Sequence, residues 1–596
     1  MPSIYSIMDI SRWGLISSTR QLDTVSHNVA NVNNPNYSRQ EVTQGTRNPE
    51  RAKEGFYGTG VQLLEVVQKV DKLLFERISD KNSDAQYQYA RLTQLKRLEA
   101  LSNEAGEAGL GYEVTAFFNA WQDVGNNPES SSVRKVLRET ANNLVNRLQT
   151  LMTDLAQVER DLDVYLSGAV DDVNSTCRRI AELNRQIATD EATGRTANDL
   201  RDERMAQINH LSELIDTNWF ETGDGTITIQ TGTGKTLVQG DYPRDSDPDP
   251  LYFGQVAGYD DHQLVWRDLN VVMDGDEVSG GRIGAWLQVR GGTLPKTSTE
   301  TDTGDIPQMQ SFLNDLANTI IVEVNKLHSQ GVGLDRLTNV TGTYESPDAV
   351  TTFNDSNNTL PYASIVQDGQ FEIWAYENGT RRGYTIEVYA NDSLTSLMNR
   401  INTEINPGMD PAANPVATIV DNKYLSINSS SGIDFAFARD TSNVLAALGI
   451  NTFFEGSTAS SISLNAKIES DVRNIAAGRL LSGENAGEHS EGDKSNALDL
   501  ADLKDANTMA GGTETFNESV ISWAADLGTQ IAATNDSLSF NETALAELQT
   551  MRDNVSAVNL DEEMIKMIRF QRSYQMAAKM INVADTLMAT LLETKR

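Results

Sequence analysis

The sequence predicts a multidomain α+β protein: coiled-coil-like helices at the N- and C-termini, an α-helical bundle core, and two inserted β-rich outer domains. Three observations carry this prediction. Each end of the chain holds an apolar heptad, long stretches between them keep a helical 3–4 period, and that period gives way twice to Gly- and Thr-rich alternation.

At the C-terminus, Met567, Phe570, Tyr574, Ala577, Ile581, Ala584, Met588 and Leu591 step by 3 and 4 throughout. An unbroken heptad of this kind is a seam for another helix. A second apolar stripe, Met576, Met580, Val583 and Leu587, runs beside it, so one partner helix does not suffice. Asn559 followed by Glu562 has the form of a capping box. Asp561, Glu562 and Glu563 in the first turn, with Lys595 and Arg596 in the last, suit the helix dipole.

The N-terminus carries the matching element. Ile4, Met8, Ser11, Leu15, Ser18, Leu22, Val25, Val29 and Val32 also step by 4 and 3, and Ile7, Ile10, Trp13 and Ile16 form a second apolar side. The simplest arrangement pairs the two ends, then packs the pair against neighbouring copies. One seam does not offset the entropy of ordering about thirty residues at each end. The segments 1–35 and 556–596 are therefore expected to be disordered in the monomer and to form an inner tube on assembly.

Between the ends, helices are predicted from Val66 to Leu101, Tyr112 to Val124, Ser132 to Ile187 and Ala197 to Ile215. In the third, Leu144, Leu148, Leu151, Leu155, Val158, Leu162 and Tyr165 keep one stripe. The period then drops to two in TITIQ, KTLVQ, QLVWR and IGAWLQV, giving an inserted β domain over 221–304. Helix returns from Ile306 to Gln330. A second inserted α+β domain, 336–464, holds FEIWAY and YTIEVYA around the turn Asn378-Gly379, a helix from Leu394 to Ile405, and strands ATIV and YLSI. From Ser470 the chain is expected to be helical again, with Phe516, Val520, Trp523, Leu527 and Ile531 on one face and the last bundle helix ending near Val558. The bundle thus comprises 36–220, 305–335 and 465–555, which the chain leaves and re-enters twice.

The 596 residues carry a net charge of −35. Residues 1–35 hold two acids and two bases and residues 560–596 hold five acids and six bases, so the remainder carries −36. A body this acidic excludes a nucleic-acid partner, which needs a basic face, and suits a solvated exterior. No run of about 18 apolar residues exists, so no membrane insertion is expected. The first twenty residues lack the pattern of a cleaved signal peptide. The single cysteine, Cys177, shares a helix stripe with Val173 and Ile180 and reads as a buried thiol.

After the first helix the chain reads NVANVNNPNYSRQEV, where Pro35 and its Asn neighbours make a turn. Asn28-x-x-Asn31-x-x-x-Pro35-x-Tyr37 resembles the N-terminal signature of the bacterial flagellar axial family of rod, hook and hook-associated proteins. Ser38-Arg39-Gln40 is similar, more narrowly, to the members that join hook to filament, and VNLDEEM with FQRSYQ resembles the family's C-terminal motif. Gly492 to Leu503 resembles a segment that precedes the C-terminal bundle. Most members carry Thr-Pro-Gly-Tyr where this chain has Asn34, Pro35, Asn36 and Tyr37. Because Asn tolerates positive φ, the same turn, slightly strained, is expected at Asn36.

The resemblance implies a structural subunit of the flagellum, without cofactor or catalytic role, at the hook–filament junction. It implies export through the flagellum's own secretion channel, self-assembly into a ring or tube layer, contact with hook protein and with a second junction protein, and a cytoplasmic export chaperone on the C-terminal helix. Met564, Met567, Met576, Met580 and Met588 would give that helix contacts adaptable to two lattices. Hook protein or the second junction protein is an alternative within the class, and a secreted acidic adhesin or glycan hydrolase one outside it.

Other chemistry finds little support. TGTGKT ends like a phosphate-binding loop, but Ile229 stands where its first Gly belongs. DSDPDP spaces carboxylates like a calcium loop, but Pro250 replaces the required Gly and Val256 the bidentate Glu. The histidines, His27, His210, His262, His328 and His489, are dispersed and form no metal-ligand pattern.

Overall fold

The computed structural model describes residues 4–52, 55–102, 109–192, 194–240, 249–259, 261–267, 271–273, 278–292, 302–377, 379–405, 416–429 and 433–594. Asn378, residues 245–248 of the acidic loop, and residues 595 and 596 lie outside them. The chain opens with helix α1 (Ile4–Ala30), then strands β1 (Gln40–Thr46), β2 (Glu50–Ala52), β3 (Gly55–Tyr57) and β4 (Val61–Gln68). Helices α2 (Lys72–Ser102), α3 (Leu110–Asn126), α4 (Ser131–Glu191) and α5 (Asn198–Leu214) follow. Next come β5 (Thr217–Glu221), β6 (Ile227–Thr231), β7 (Thr236–Val238), β8 (Leu251–Gln255), β9 (His262–Trp266), β10 (Val271–Val272), α6 (Gly281–Arg290) and α7 (Asp305–His328). A further mixed stretch holds β11 (Asn339–Thr341), β12 (Gly369–Glu377), β13 (Thr380–Val388), α8 (Leu394–Ile405), β14 (Val416–Val420), β15 (Tyr424–Asn428), β16 (Ile433–Ala438), α9 (Val444–Ala447), β17 (Phe454–Glu455) and β18 (Ser463–Leu464). The chain closes with α10 (Ala466–Ser470), α11 (Ser495–Asp502), α12 (Phe516–Ser556) and α13 (Leu560–Glu593).

These elements form two compact units. One comprises Met1–Gln94, Asp161–Asp305 and Ile531–Arg596, and so contains both ends of the chain. Its core joins the second half of α4 to α5, α6 and two three-stranded sheets, β5-β6-β7 and β8-β9-β10, through Leu166, Val173, Ile180, Leu211, Ile229 and Trp266. Cys177 is fully buried there, and burial pushes its thiol up to about 12, so it is inert. The loop that mimics a phosphate site is the β6–β7 hairpin turn, closed by Gly234 N–H to Thr231 O at 2.8 Å.

The other unit comprises Leu95–Arg160 and Ile306–Gln530. Rings of Phe117, Trp121, Phe453 and Phe454 cluster in it, and Phe118 stacks on Phe516 at 5.4 Å. Two small antiparallel sheets lie in its later part, one centred on β12 between β13 and β16, the other on β15 between β11 and β14.

Several predicted elements change character. Val66 lies in β4, which pairs with β1, so helix starts only at Lys72. The i, i+4 pair Val66 and Val70 imitates a helix because its strand partner is distant in sequence. IGAWLQV is helical: Ile283, Ala285, Leu287 and Val289 are all buried in a helix covered on most sides, which leaves no polar face to mark the period. Helix does not continue from Ser470, since Gly483 and Gly487 take positive φ before α11 begins. The α4 stripe holds through Leu162, but Leu166 rather than Tyr165 is buried next. A straight helix drifts about 20° per heptad and leaves a strict seam.

His328 supplies a test of the second core. Its ring donates from Nδ1 to Asn451 O at 2.8 Å and accepts at Nε2 from Ala476 N–H at 3.0 Å, which fixes the neutral tautomer. Burial, aided by Arg134, lowers its pKa to about 4. The unfolded chain takes up the proton first, so this contribution is full above pH 6.5 and is lost as pH falls towards 4. We expect that loss to reach about 3 kcal/mol. Urea unfolding should show a steeper acid dependence in the native chain than in His328→Gln; equal slopes would contradict it.

Candidate assembly interface

Helix α1 lies along α13. A Cβ at Gly14 would stand 3.6 Å from that of Ala577, and the Asn28 amide reaches Glu563 at 3.0 Å. The two contacts are equally spaced on both helices and run in opposite senses, so the helices are antiparallel in a single register. Small residues sit in the seam: Ser11 and Ser18 are buried on α1 and Ala584 on α13. They let the backbones approach closely.

Most of the second apolar side of α1 is covered within the chain: Ile7, Trp13 and Ile16 are half-buried, and Ile10 is exposed. The β1–β4 hairpin packs on it, with the Arg47 guanidinium 4.5 Å from the Trp13 ring centre and 3.2 Å from Asp9. Gly60, at φ +101°, is where α1 comes nearest: a Cβ there would stand 3.4 Å from Ile10 Cα. The outer stripe of α13 is different. Met576, Met580, Val583 and Leu587 are 67, 47, 51 and 47 % exposed.

The two ends are tied at Asn28, which is almost completely buried. Its Nδ2 donates to Gln40 O and to Glu563 Oε2, each at 3.0 Å. Its Oδ1 accepts from the Tyr37 hydroxyl at 2.7 Å and from Gln40 N–H at 3.0 Å. All four bonding positions of the amide are filled, and no other side chain of this size presents two donors and two acceptors in this geometry. Glu563 is itself fully buried and takes the Lys566 ammonium at 2.7 Å.

A second shell of bonds fixes the turn. Ser38 N–H donates to Asp202 at 2.9 Å, the Gln40 side chain to Asp199 at 2.7 Å, and Arg39 N–H to Ser556 O at 2.8 Å. Burial raises the Asp202 carboxyl to about 6 against the lowering effect of Ser38. Burial and the carboxylates of Asp199, Asp202 and Glu563 hold the Tyr37 hydroxyl well above its usual range, so it remains a donor. Asn31 bonds back to His27 O at 3.0 Å, and the His27 ring stands edge-on to Tyr37. The turn closes by Tyr37 N–H to Asn34 O at 3.2 Å, with Pro35 and Asn36 between. Asn36 does not take positive φ, so the expected strain is absent. A turn with negative φ at its third position accepts Asn where the family pattern has Gly.

Of the seam positions expected from sequence, Ile4, Met8, Leu15, Leu22, Val25 and Val29 on α1 are half-buried or buried, as are Met567, Phe570, Ala577, Ile581, Ala584 and Met588 on α13; Val32 is half-buried but lies in the turn beyond the end of α1. Tyr574 and Leu591 lie exposed. Asn559 caps α13 by accepting from Asp561 and Glu562 N–H, but the Glu562 carboxylate turns to Arg39 at 3.0 Å. Sequence reasoning missed Glu563, Asp199 and Asp202. Glu563 reads as helix-dipole charge, and only its burial shows that it serves Asn28.

Asn28→Ala would strand four polar groups, each costing about 1–3 kcal/mol when left without a partner. The Arg39 amide, which bonds to Ser556 and not to Asn28, should then exchange its hydrogen roughly tenfold or more faster, while Ser26→Ala on the exposed face should change nothing. An unaltered Arg39 rate would show that the network does not couple the ends.

Residues 95–342 match the family described as flagellar hook-associated protein FlgK helical domain, and residues 552–594 match flagellar basal body rod FlgEFG protein C-terminal. Flagellar hook-associated protein 1 of Escherichia coli K12 is 22 % identical over 607 residues, covering 99 % of this chain and all of the relative. The Bacillus subtilis protein of the same name is 25 % identical over 619 residues, covering 99 % and 98 %. The fold is like that of the flagellar hook junction protein FlgK from Burkholderia pseudomallei, at a TM-score of 0.52 and 14 % identity, over 81 % of this chain and all of that one. The chain is thus a homologue of flagellar hook-associated protein 1, among the axial proteins of the bacterial flagellum.

Proposed function

We propose that this chain is a structural, non-enzymatic subunit that joins hook to filament in the bacterial flagellum. The observation that carries the reading is the uncovered apolar stripe of α13 beside a seam already satisfied by α1. A soluble single chain gains nothing by exposing Met576, Met580, Val583 and Leu587 in a row, whereas copies packed side by side bury them. The likeness to hook-associated protein 1 over almost the whole chain supports the same conclusion.

The terminal helices form an inner tube layer, and the acidic remainder faces outward. Hook protein lies on one side of the layer and the second junction protein on the other. Before export, the same stripe on α13 is held by a cytoplasmic chaperone. The chain leaves through the flagellar secretion channel and works outside the cell. Of the segments expected to be disordered in the isolated chain, 1–35 and 556–596, the distal turns, about 4–19 and 571–594, loosen first, and the network around Asn28 is the last part to loosen.

The test is complementation of cells lacking their own hook-associated protein 1. The full chain should restore attached filaments, and a chain without residues 560–596 should not. Filaments retained by the shortened chain would overturn the proposal.

A further inference from the structure

We infer that the uncovered face of α13 docks, in parallel, on the second half of α12 in a second copy of this chain. This rests on the self-assembly reading above and names the surface that meets Met576 and Met580 of the stripe.

The second half of α12 exposes its own apolar row, Phe540, Met551 and Val555, with Glu547 on the same face. The outer face of α13 exposes Ile565, Met576 and Met580, with Arg572 among them. The two rows have identical spacing. Phe540, Glu547, Met551 and Val555 advance by 7, 4 and 4; Ile565, Arg572, Met576 and Met580 do the same. One offset therefore sets apolar against apolar three times and Arg572 against Glu547.

Charge agrees with this register. Between Met564 and Ala584 the chain has Lys566, Arg569, Arg572 and Lys579 and no acid. Between Ile531 and Ser556 it has Asp536, Glu542, Glu547 and Asp553 against Arg552. Lys566 is paired with Glu563 and Arg552 with Asp553. Arg569, Arg572, Lys579, Asp536, Glu542 and Glu547 form no ion pair among the described residues. In a chain as acidic as this one, a free basic stretch opposite a free acidic one is a specific complement.

The pairing cannot form within one chain. Only Ala557, Val558 and Asn559 connect α12 to α13. In the parallel register Leu560 stands level with Asn535 of α12, about 32 Å back along the axis from Ser556, which three residues cannot span at roughly 3.5 Å each. The partner is therefore another copy.

The experiment co-produces Met551→Cys and Met576→Cys full-length chains in cells lacking their own hook-associated protein 1, then oxidises the isolated flagella mildly. Cys177 is buried and does not compete. A disulfide-linked dimer is expected in the mixture and in neither variant alone. Filaments present without that dimer, or a dimer formed instead by Met551→Cys with Ile568→Cys as an antiparallel packing requires, would overturn the inference while leaving self-assembly standing. Failure of the unaltered chain to restore filaments in the same cells would remove the self-assembly reading and this inference with it.

Discussion

The arrangement of both chain ends depends on one buried amide. Asn28 bonds to the turn that follows it and to Glu563 on the last helix, joining residues 535 positions apart. Burying a carboxylate is costly unless its bonds are satisfied, and here Asn28 and Lys566 satisfy Glu563. The same contact sets the register of α1 against α13. With the seam in that register, the stripe on the far side of α13 is left with nothing to cover it.

That consequence links folding to assembly. The fully buried positions of the α1–α13 seam are small, Ser11 and Ser18 on α1 and Ala584 on α13, while its larger side chains such as Met567 and Phe570 are only half-buried, so apolar burial there is limited. The hairpin β1–β4 adds cover on the α1 side only. The last helix therefore carries more apolar surface than its own chain can remove from water. In the proposed assembly the acidic remainder, net −36, disfavours association through the exteriors and leaves the near-neutral ends as the place where copies meet.

Much of this was legible in the residues. The heptads at Ile4–Val32 and Met567–Leu591 gave both terminal helices and their seam, because an amphipathic period survives whatever the chain packs against. Cys177 and the long α4 stripe were likewise legible as core. The β1–β4 hairpin was not, since its strands are separated by fourteen residues and Val66 also fits a helical step. The helix at Ile283 was missed because a fully covered helix shows no polar face. At the interface, Asn28, Ser38 and Gln40 were visible as a motif, but their acceptors Glu563, Asp202 and Asp199 were hidden among 84 acidic residues. Only the fold identifies which carboxylates are used.

The claim that the ends find their full burial only among copies is tested most directly by hydrogen exchange along the purified single chain. Amides in 4–19 and 571–594 should exchange at once, those around Asn28 and Gln40 more slowly, and those of both cores slowest of all. Protection of the distal turns equal to that of the cores would contradict the account.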